Sequence, residues 1–293
     1  VEAKERARSV LSSRGVTVPL RAVASWDALP LDLRRRIYFR LGKKVRQQSR
    51  ATFGHRFDGN EVRFRLEGTV RELYWVGAYE VDSLPLFLRY ARTADVVLDV
   101  GAAEGVYSLG AAAVAPEAKV VAAEPGGPQL RRLNGNLELN PRLAERITVL
   151  PVALSDRDGT AEFFQLPGGT SSLNPDFRSN AVPRTVEVGR ADELVAPLLD
   201  GRRLDLVKVD TESTEPEVLG GMVELLEQHR PVIFCEVLAG RTEERLQPLV
   251  DQLGYRTWFL SRDREPVRRD RIAGVPGCMN WLFLPDDRVP LQR

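Results

Sequence analysis

From residue 95 onward, short apolar runs alternate with stretches of helical length. The runs are 96–100, 119–123, 147–151, 204–209 and 231–237, and none alternates polar with apolar positions. Strands without alternation are buried on both faces, so the pattern predicts a parallel sheet covered by helices. Two later runs, 256–260 and 279–284, bring the expected strands to seven. Between the third and fourth runs lies a Gly/Pro/Ser-rich excursion, 165–183, followed by an expected strand at 184–188. The predicted fold is α/β: a doubly wound, seven-stranded, mostly parallel sheet over residues 94–293.

Residues 1–93 follow other patterns. Short helical stretches are interrupted at Pro19 and Pro30, and Leu33, Ile37 and Leu41 form an amphipathic stripe with arginines on the other faces. Alternation over 62–79 around Glu67-Gly68 predicts a β-hairpin, and a helix is expected over 83–92. This region is therefore expected to be a helical and β-hairpin extension preceding the main domain.

Charge sharpens the division. The 293 residues carry a formal charge of +1, yet residues 1–56 hold 14 Lys and Arg against 4 Asp and Glu, so the rest of the chain is net acidic. A basic segment suggests an anionic partner; a solvated helical cap or an oligomer contact is favoured, because arginines around a helical stripe usually face water. No apolar run approaches a membrane span, and the N-terminal residues lack an apolar signal core, so a cytoplasmic location is expected. Two cysteines, Cys235 and Cys278, and two histidines, His55 and His229, argue against a disulfide scaffold and a zinc site; no metal site is assigned.

In doubly wound folds ligands bind at the carboxyl ends of parallel strands. The first strand runs into DVGAAEGVYSLG, where Gly101 permits a sharp turn and Gly105 a close backbone approach. The following helix points its amides at any carboxylate or phosphate there. GAAEG lacks the middle glycine that admits a pyrophosphate, and it lacks a Walker ending. Asp99, inside the strand end, needs a partner. Glu124 closes the second strand, where a carboxylate suits a ribose diol. A ribose, an amine and a carboxylate together describe S-adenosylmethionine better than a dinucleotide.

The ordered segments DVGAAEGVYSL, AAEPGGPQLRRLNGNLELN, VALSDRDGTAEF, GTSSL, DLVKVDTESTEPEVLGG and PVIFCEV resemble those of FkbM-type S-adenosylmethionine-dependent methyltransferases. The resemblance covers about residues 79–284 and implies the class I methyltransferase sheet. It also implies O-methylation of a sugar or polyketide-type hydroxyl. By resemblance Asp99, Gly101, Gly105 and Tyr107 would line the methionine side of the cofactor, and Ala102, Glu104, Ser108 and Pro125 would also bind it. Glu124 would hold the ribose, and Ala153 would lie against the adenine.

The fourth strand carries the candidate catalytic groups. Lys208 and Asp210 share a face, Glu212 follows, and Glu236 ends the neighbouring strand. Three carboxylates converging there would orient a hydroxyl and take its proton. The alternative is a Lys208–Asp210 ion pair that only braces the strand end. Where the family reads K-[I/V]-D-V-E-G-H-E, this chain places Ser213 and Thr214 in the Gly and His positions. Thr214 with Glu217 reads as a capping box. Thr170, Ser171 and Ser172 are either substrate contacts or turn residues, and His229 reads as a helix cap. Two other functions compete. RNA ribose methylation is motivated by the basic segment, although DTES stands where a base-methylating enzyme would have its aromatic loop. A non-catalytic cofactor-binding module is the other.

Overall fold

The computed structural model describes residues 29–40, 51–166, 171–174, 181–261, 264–275 and 279–291. Two compact units comprise it, Val1–Glu80 and Val81–Arg293.

The described part of the first unit holds α1 (Leu31–Arg40), β1 (Thr52–Phe57), β2 (Asn60–Arg65) and α2 (Val70–Val76). The hairpin is present, but its partner strand precedes the alternating run instead of following it. Val62, Phe64 and Leu66 are buried as the alternation requires, yet they pair back onto Thr52–Phe57. The turn is Asp58-Gly59, both with positive φ, the twist that favours a two-residue hairpin. Beyond Gly68 the buried positions Val70, Leu73 and Val76 are three apart, a helical period, so the expected second arm is α2. In α1 the buried side chain is Tyr38, against Trp75 and Val76, with Leu31 and Ile37 beside it. Leu33 is exposed and Leu41 lies outside the described residues, so the expected stripe is displaced around the helix.

The second unit begins with α3 (Leu84–Ala91), then β3 (Val96–Val100), α4 (Val106–Val114), β4 (Lys119–Ala123), α5 (Gly127–Glu138), α6 (Pro141–Ala144) and β5 (Ile147–Leu150). Next come β6 (Ala153–Leu154), β7 (Gly159–Gln165), β8 (Ser171–Ser172), β9 (Val182–Gly189) and α7 (Ala191–Leu194). The rest is β10 (Leu204–Val209), α8 (Glu215–Gly220), α9 (Val223–His229), β11 (Val232–Glu236), α10 (Glu243–Gln252), β12 (Tyr255–Ser261), β13 (Arg264–Arg269) and β14 (Asn280–Pro285).

The main sheet is ordered β13-β12-β14-β11-β10-β3-β4-β5. From β11 to β5 every neighbouring pair is parallel; β14 runs against both β11 and β12, and β13 against β12. All seven expected strands are present, and β13 (REPVRR) adds an eighth at the edge. Its polar sequence gave no apolar signal because an edge strand needs only backbone pairing, and its charges discourage further strands. The excursion folds into a second sheet, β6-β9-β7-β8.

Both faces of the main sheet are covered. On one, Leu98, Val100, Val207, Val209, Ile233 and Cys235 pack with Val218, Leu219, Leu226, Leu246 and Val250 from α8, α9 and α10. Each such side chain, fully buried, contributes about 1.5–3 kcal/mol. On the other, Phe234 meets Phe87 of α3 at 5.4 Å between ring centroids, and Phe87 meets Tyr107 of α4 at 4.8 Å. That second face also carries Asp99, Lys208 and Glu236, because alternate residues of each strand share a side.

Candidate active site at the strand carboxyl ends

The turn after β3 is held by its neighbours. The amides of Gly101 and Ala102 donate to the Ala123 carbonyl at 2.9 and 3.1 Å, tying the turn to the end of β4. Gly101 has φ +80°, and a Cβ there would stand 1.9 Å from the Asp210 carbonyl oxygen at the end of β10. Gly105 (φ +81°) starts α4, and a Cβ on it would meet the Leu133 side chain at 2.6 Å. Both glycines are thus required twice, for conformation and for space. Ala103, also at positive φ, directs its amide to Glu124 Oε2 at 3.0 Å.

The carboxylates on this side have protein partners. Asp99 is buried and accepts from Ser108 Oγ at 2.5 Å. Burial raises its pKa to about 6, opposed by the Ser108 hydroxyl and the Lys208 charge. Glu124 is raised further, to about 8: burial outweighs the amides of Ala103 and Gly126, and the Glu104 charge adds to the rise. Glu104 is buried against Arg132 (3.1 Å), so its side chain turns toward α5, and its carbonyl accepts from Asn136 at 2.8 Å. Tyr107 donates to Ser83 Oγ at 2.9 Å, and its ring lies 5.2 Å from Lys208 Nζ. Ala102 is buried, Pro125 half-buried beside Glu124, and Ala153 buried in β6 opposite Val188.

Two buried residues here escaped the sequence reading. Gln165 of β7 packs on Gly127, where a Cβ would meet its amide nitrogen at 2.1 Å, and donates to Gln129 at 3.0 Å. Gln129 in turn donates to Ser171 at 2.7 Å. The signal was the Gly126-Gly127 pair directly after Glu124-Pro125: a glycine at positive φ, with no room for a Cβ, implies another element laid across it.

At the end of β10, Lys208 is 1 % exposed and lies beside Asp99 across the sheet register. Its Nζ pairs with Asp210 Oδ2 at 3.1 Å, so the bracing ion pair exists. The next residues turn tightly: Glu212 (φ +58°) and Ser213 (φ +90°) both occupy the left-handed region. The FkbM-type motif that this segment resembles has glycine at 213, and a glycine's backbone freedom is what this conformation uses. Ser213 is accommodated in that region at a cost of about 1–3 kcal/mol.

This turn corrects the expected capping box. Thr214 is the N-cap residue of α8, but its side chain makes no capping bond; its hydroxyl lies 3.4 Å from the Thr211 carbonyl. Glu217 pairs outward with Arg245 at 2.7 Å. Glu215, fully buried, does the stapling: its Oε1 accepts the amides of Thr211 and Ser213, each at 3.1 Å, and the Thr211 hydroxyl at 3.2 Å. Burial raises Glu215 to about 7 against the pull of those bonds. From the second sheet, Ser172 Oγ donates to the Glu212 carbonyl at 2.6 Å. Ser171 and Ser172 thus bind protein partners; Thr170 lies outside the described residues.

Asp210, Glu212 and Glu236 converge, each offering a carboxylate oxygen within 4.8 Å of the others. Glu236 is buried, and burial followed by the charges of Asp210 and Glu212 pushes its pKa well above the carboxylate range. Asn280 stands opposite it on β14. Elsewhere, His229 ends α9 and its Nδ1 accepts the Leu204 amide at 3.4 Å, a structural contact. Cys235 is buried with its thiol pKa raised by burial; Cys278 lies outside the described residues.

The sequence model described as "Methyltransferase FkbM domain" matches residues 99–263. Over 205 residues the chain is 31% identical to "AMB antimetabolite synthetase AmbE" of Pseudomonas aeruginosa, covering 58% of this chain but only 9% of that protein's length. It is 27% identical over 235 residues to "Methyltransferase sdnD" of Sordaria araneosa, covering 70% of this chain and 86% of that one. Among solved structures, it is similar to the methyltransferase FkbM of Methylobacillus flagellatus KT, with a TM-score of 0.43 at 16% identity, over 74% of this chain and 52% of that one.

Proposed function

The chain belongs to the family of methyltransferase FkbM domains, and on that footing we propose that it moves a methyl group from S-adenosylmethionine to a hydroxyl oxygen of a small molecule. The observation that carries this reading is the pairing of two chemically different strand ends. At one lie a glycine turn and a buried carboxylate, Glu124; at the other, on the adjoining strands, lie three carboxylates.

The residues present fit the cofactor. Glu124, raised to about 8 by burial, is a carboxylate that gains from two hydroxyl donors such as a ribose diol. The turn over 101–105 and the first turn of α4 present amides to a carboxylate, and Asp99 suits an ammonium. Ala102, Pro125 and Ala153 supply apolar surface nearby. When bound, the sulfonium supplies an already activated methyl group. The chain's own part is then positioning: Asp210, Glu212 and Glu236 orient the acceptor hydroxyl and receive its proton, while Lys208 holds Asp210 in place.

The acceptor class is a sugar or polyketide-type natural product; one relative's name, antimetabolite synthetase, supports natural-product chemistry in general without choosing between the two. The catalytic domain is assigned to residues 94–293 and residues 1–93 are read as accessory. Calorimetry with S-adenosylmethionine and S-adenosylhomocysteine tests the first claim, with micromolar binding expected and absence of binding by both overturning it. Asp210→Asn and Glu236→Gln are expected to lower turnover by 10- to 100-fold or so while cofactor affinity holds. Undiminished turnover in both would leave the carboxylates as mere bracing.

A further inference from the structure

The carboxylate trio is built as a ligand set. Asp210, Glu212 and Glu236 come from the ends of two adjacent parallel strands, yet their oxygens lie within 4.8 Å of one another. Lys208 engages Asp210 Oδ2. Glu236 supplies the second observation. It is 6 % exposed, and its Oε2 is buried with no hydrogen-bond partner. Buried polar atoms are nearly always partnered, so an orphaned carboxylate oxygen aimed into an acidic cluster points to a missing positive ligand.

We propose that Asp210, Glu212 and Glu236 form a divalent-cation site, for a hard ion of the Mg2+ or Mn2+ class, beside the acceptor hydroxyl. All three ligands are carboxylate oxygens, the set such ions prefer; no thiolate or imidazole is part of the cluster to favour zinc or copper. The backbone arrangement keeps the set together. Asp210 is tied to β3 through its amide on the Val100 carbonyl at 3.0 Å, and Glu212 is held by Ser172 on its carbonyl. A cation there would gather an acceptor through its oxygen atoms, favouring substrates with neighbouring oxygen donors. This extends the methyltransferase reading and rests on it for the acceptor only; cation binding stands apart from cofactor binding.

The test uses the full chain after chelator treatment, titrated with MnCl2 while free Mn2+ is followed by electron paramagnetic resonance. One Mn2+ per chain is expected, displaced by excess Mg2+, and weakened at least tenfold by Glu236→Gln, Glu212→Gln or Asp210→Asn. Glu212 is the safeguard variant, because its side chain is only half-buried and a glutamine there should fold. Glu217→Gln, on the Arg245 ion pair, is expected to leave binding unchanged. S-adenosylhomocysteine binding is measured on the same samples. Cofactor binding without stoichiometric Mn2+, or Mn2+ binding that survives all three substitutions, overturns the cation site and leaves the methyltransferase reading intact. Mn2+ binding without cofactor binding does the reverse.

Discussion

The two halves of the strand-end site solve the problem of buried charge in opposite ways. Beside β3 and β4, Asp99 takes the Ser108 hydroxyl, Glu104 takes Arg132, and Glu124 takes the Ala103 amide. Each carboxylate has its donor before any ligand arrives. Beside β10 and β11, Lys208 pairs with Asp210, and the buried Glu236 Oε2 has no hydrogen-bond partner. The first half is preorganised, and the second holds a surplus of negative charge that binding would relieve. In a transferase this division is reasonable. On the proposed assignment the first half would take the invariant cofactor, which rewards a rigid cradle, and the second the acceptor, which gains from interactions completed only when substrate is present.

The largest expected effect breaks the seam between the halves. Gly101→Ala combines a positive φ with a Cβ 1.9 Å from the Asp210 carbonyl, which should cost about 4 kcal/mol or more. Thermal unfolding followed by circular dichroism should show a much lower Tm, and an unchanged Tm would mean the turn is looser than its packing indicates. Lys208→Met comes next. It leaves Asp99 and Asp210 without their buried cation, at about 3 kcal/mol, and urea unfolding should register that loss.

Glu124→Gln isolates the first half. In the folded chain Glu124 releases its proton near 8 and in the unfolded chain near the ordinary value of 4.5. Between those values the folded state holds a proton that the unfolded state has released, so stability falls as pH rises through the window. The loss should reach roughly 3–4 kcal/mol from pH 5 to pH 8. Glutamine removes that slope, so the variant should gain on the wild type at pH 8 while binding S-adenosylhomocysteine about tenfold more weakly or worse. Cofactor affinity of the wild type should rise with pH toward 8, since the ionised carboxylate is the better acceptor. A pH-independent affinity would remove Glu124 from the ribose role.

The smallest effect lies in the second half. Ser213→Gly relieves a serine at φ +90° and should stabilise the fold by about 1 kcal/mol; calorimetric unfolding would detect it. A loss of stability would mean the serine side chain makes a contact that outweighs its strain.

How much was legible depended on whether a feature is local. Each parallel strand could be read because burial on both faces leaves an unbroken apolar run. Gly101, Gly105, Asp99 and Glu124 could be read because strand-end positions in this fold are set by the pattern around them. The hairpin was misplaced by one arm because alternation says which residues face inward, not which neighbour they pair with. β13 was missed since REPVRR pairs through backbone alone. Glu215 was passed over for Glu217 because a capping box is written in local spacing, while Glu215 reaches back across a turn whose shape the spacing does not reveal.

The sequence by itself determined the α/β architecture, the family and the identity of the residues at the strand ends, because all three follow from periodicity and ordered local motifs. Only the tertiary structure decided which of those carboxylates would be satisfied. Pairing depends on which donors the neighbouring strands and the second sheet bring within about 3 Å, and that juxtaposition joins residues far apart in the chain. Asp99 and Ser108 are close enough in sequence to have been guessed as a pair. The convergence of Glu236 with Asp210 and Glu212 was expected from their places at neighbouring strand ends; that one Glu236 oxygen would be left over only the structure decided.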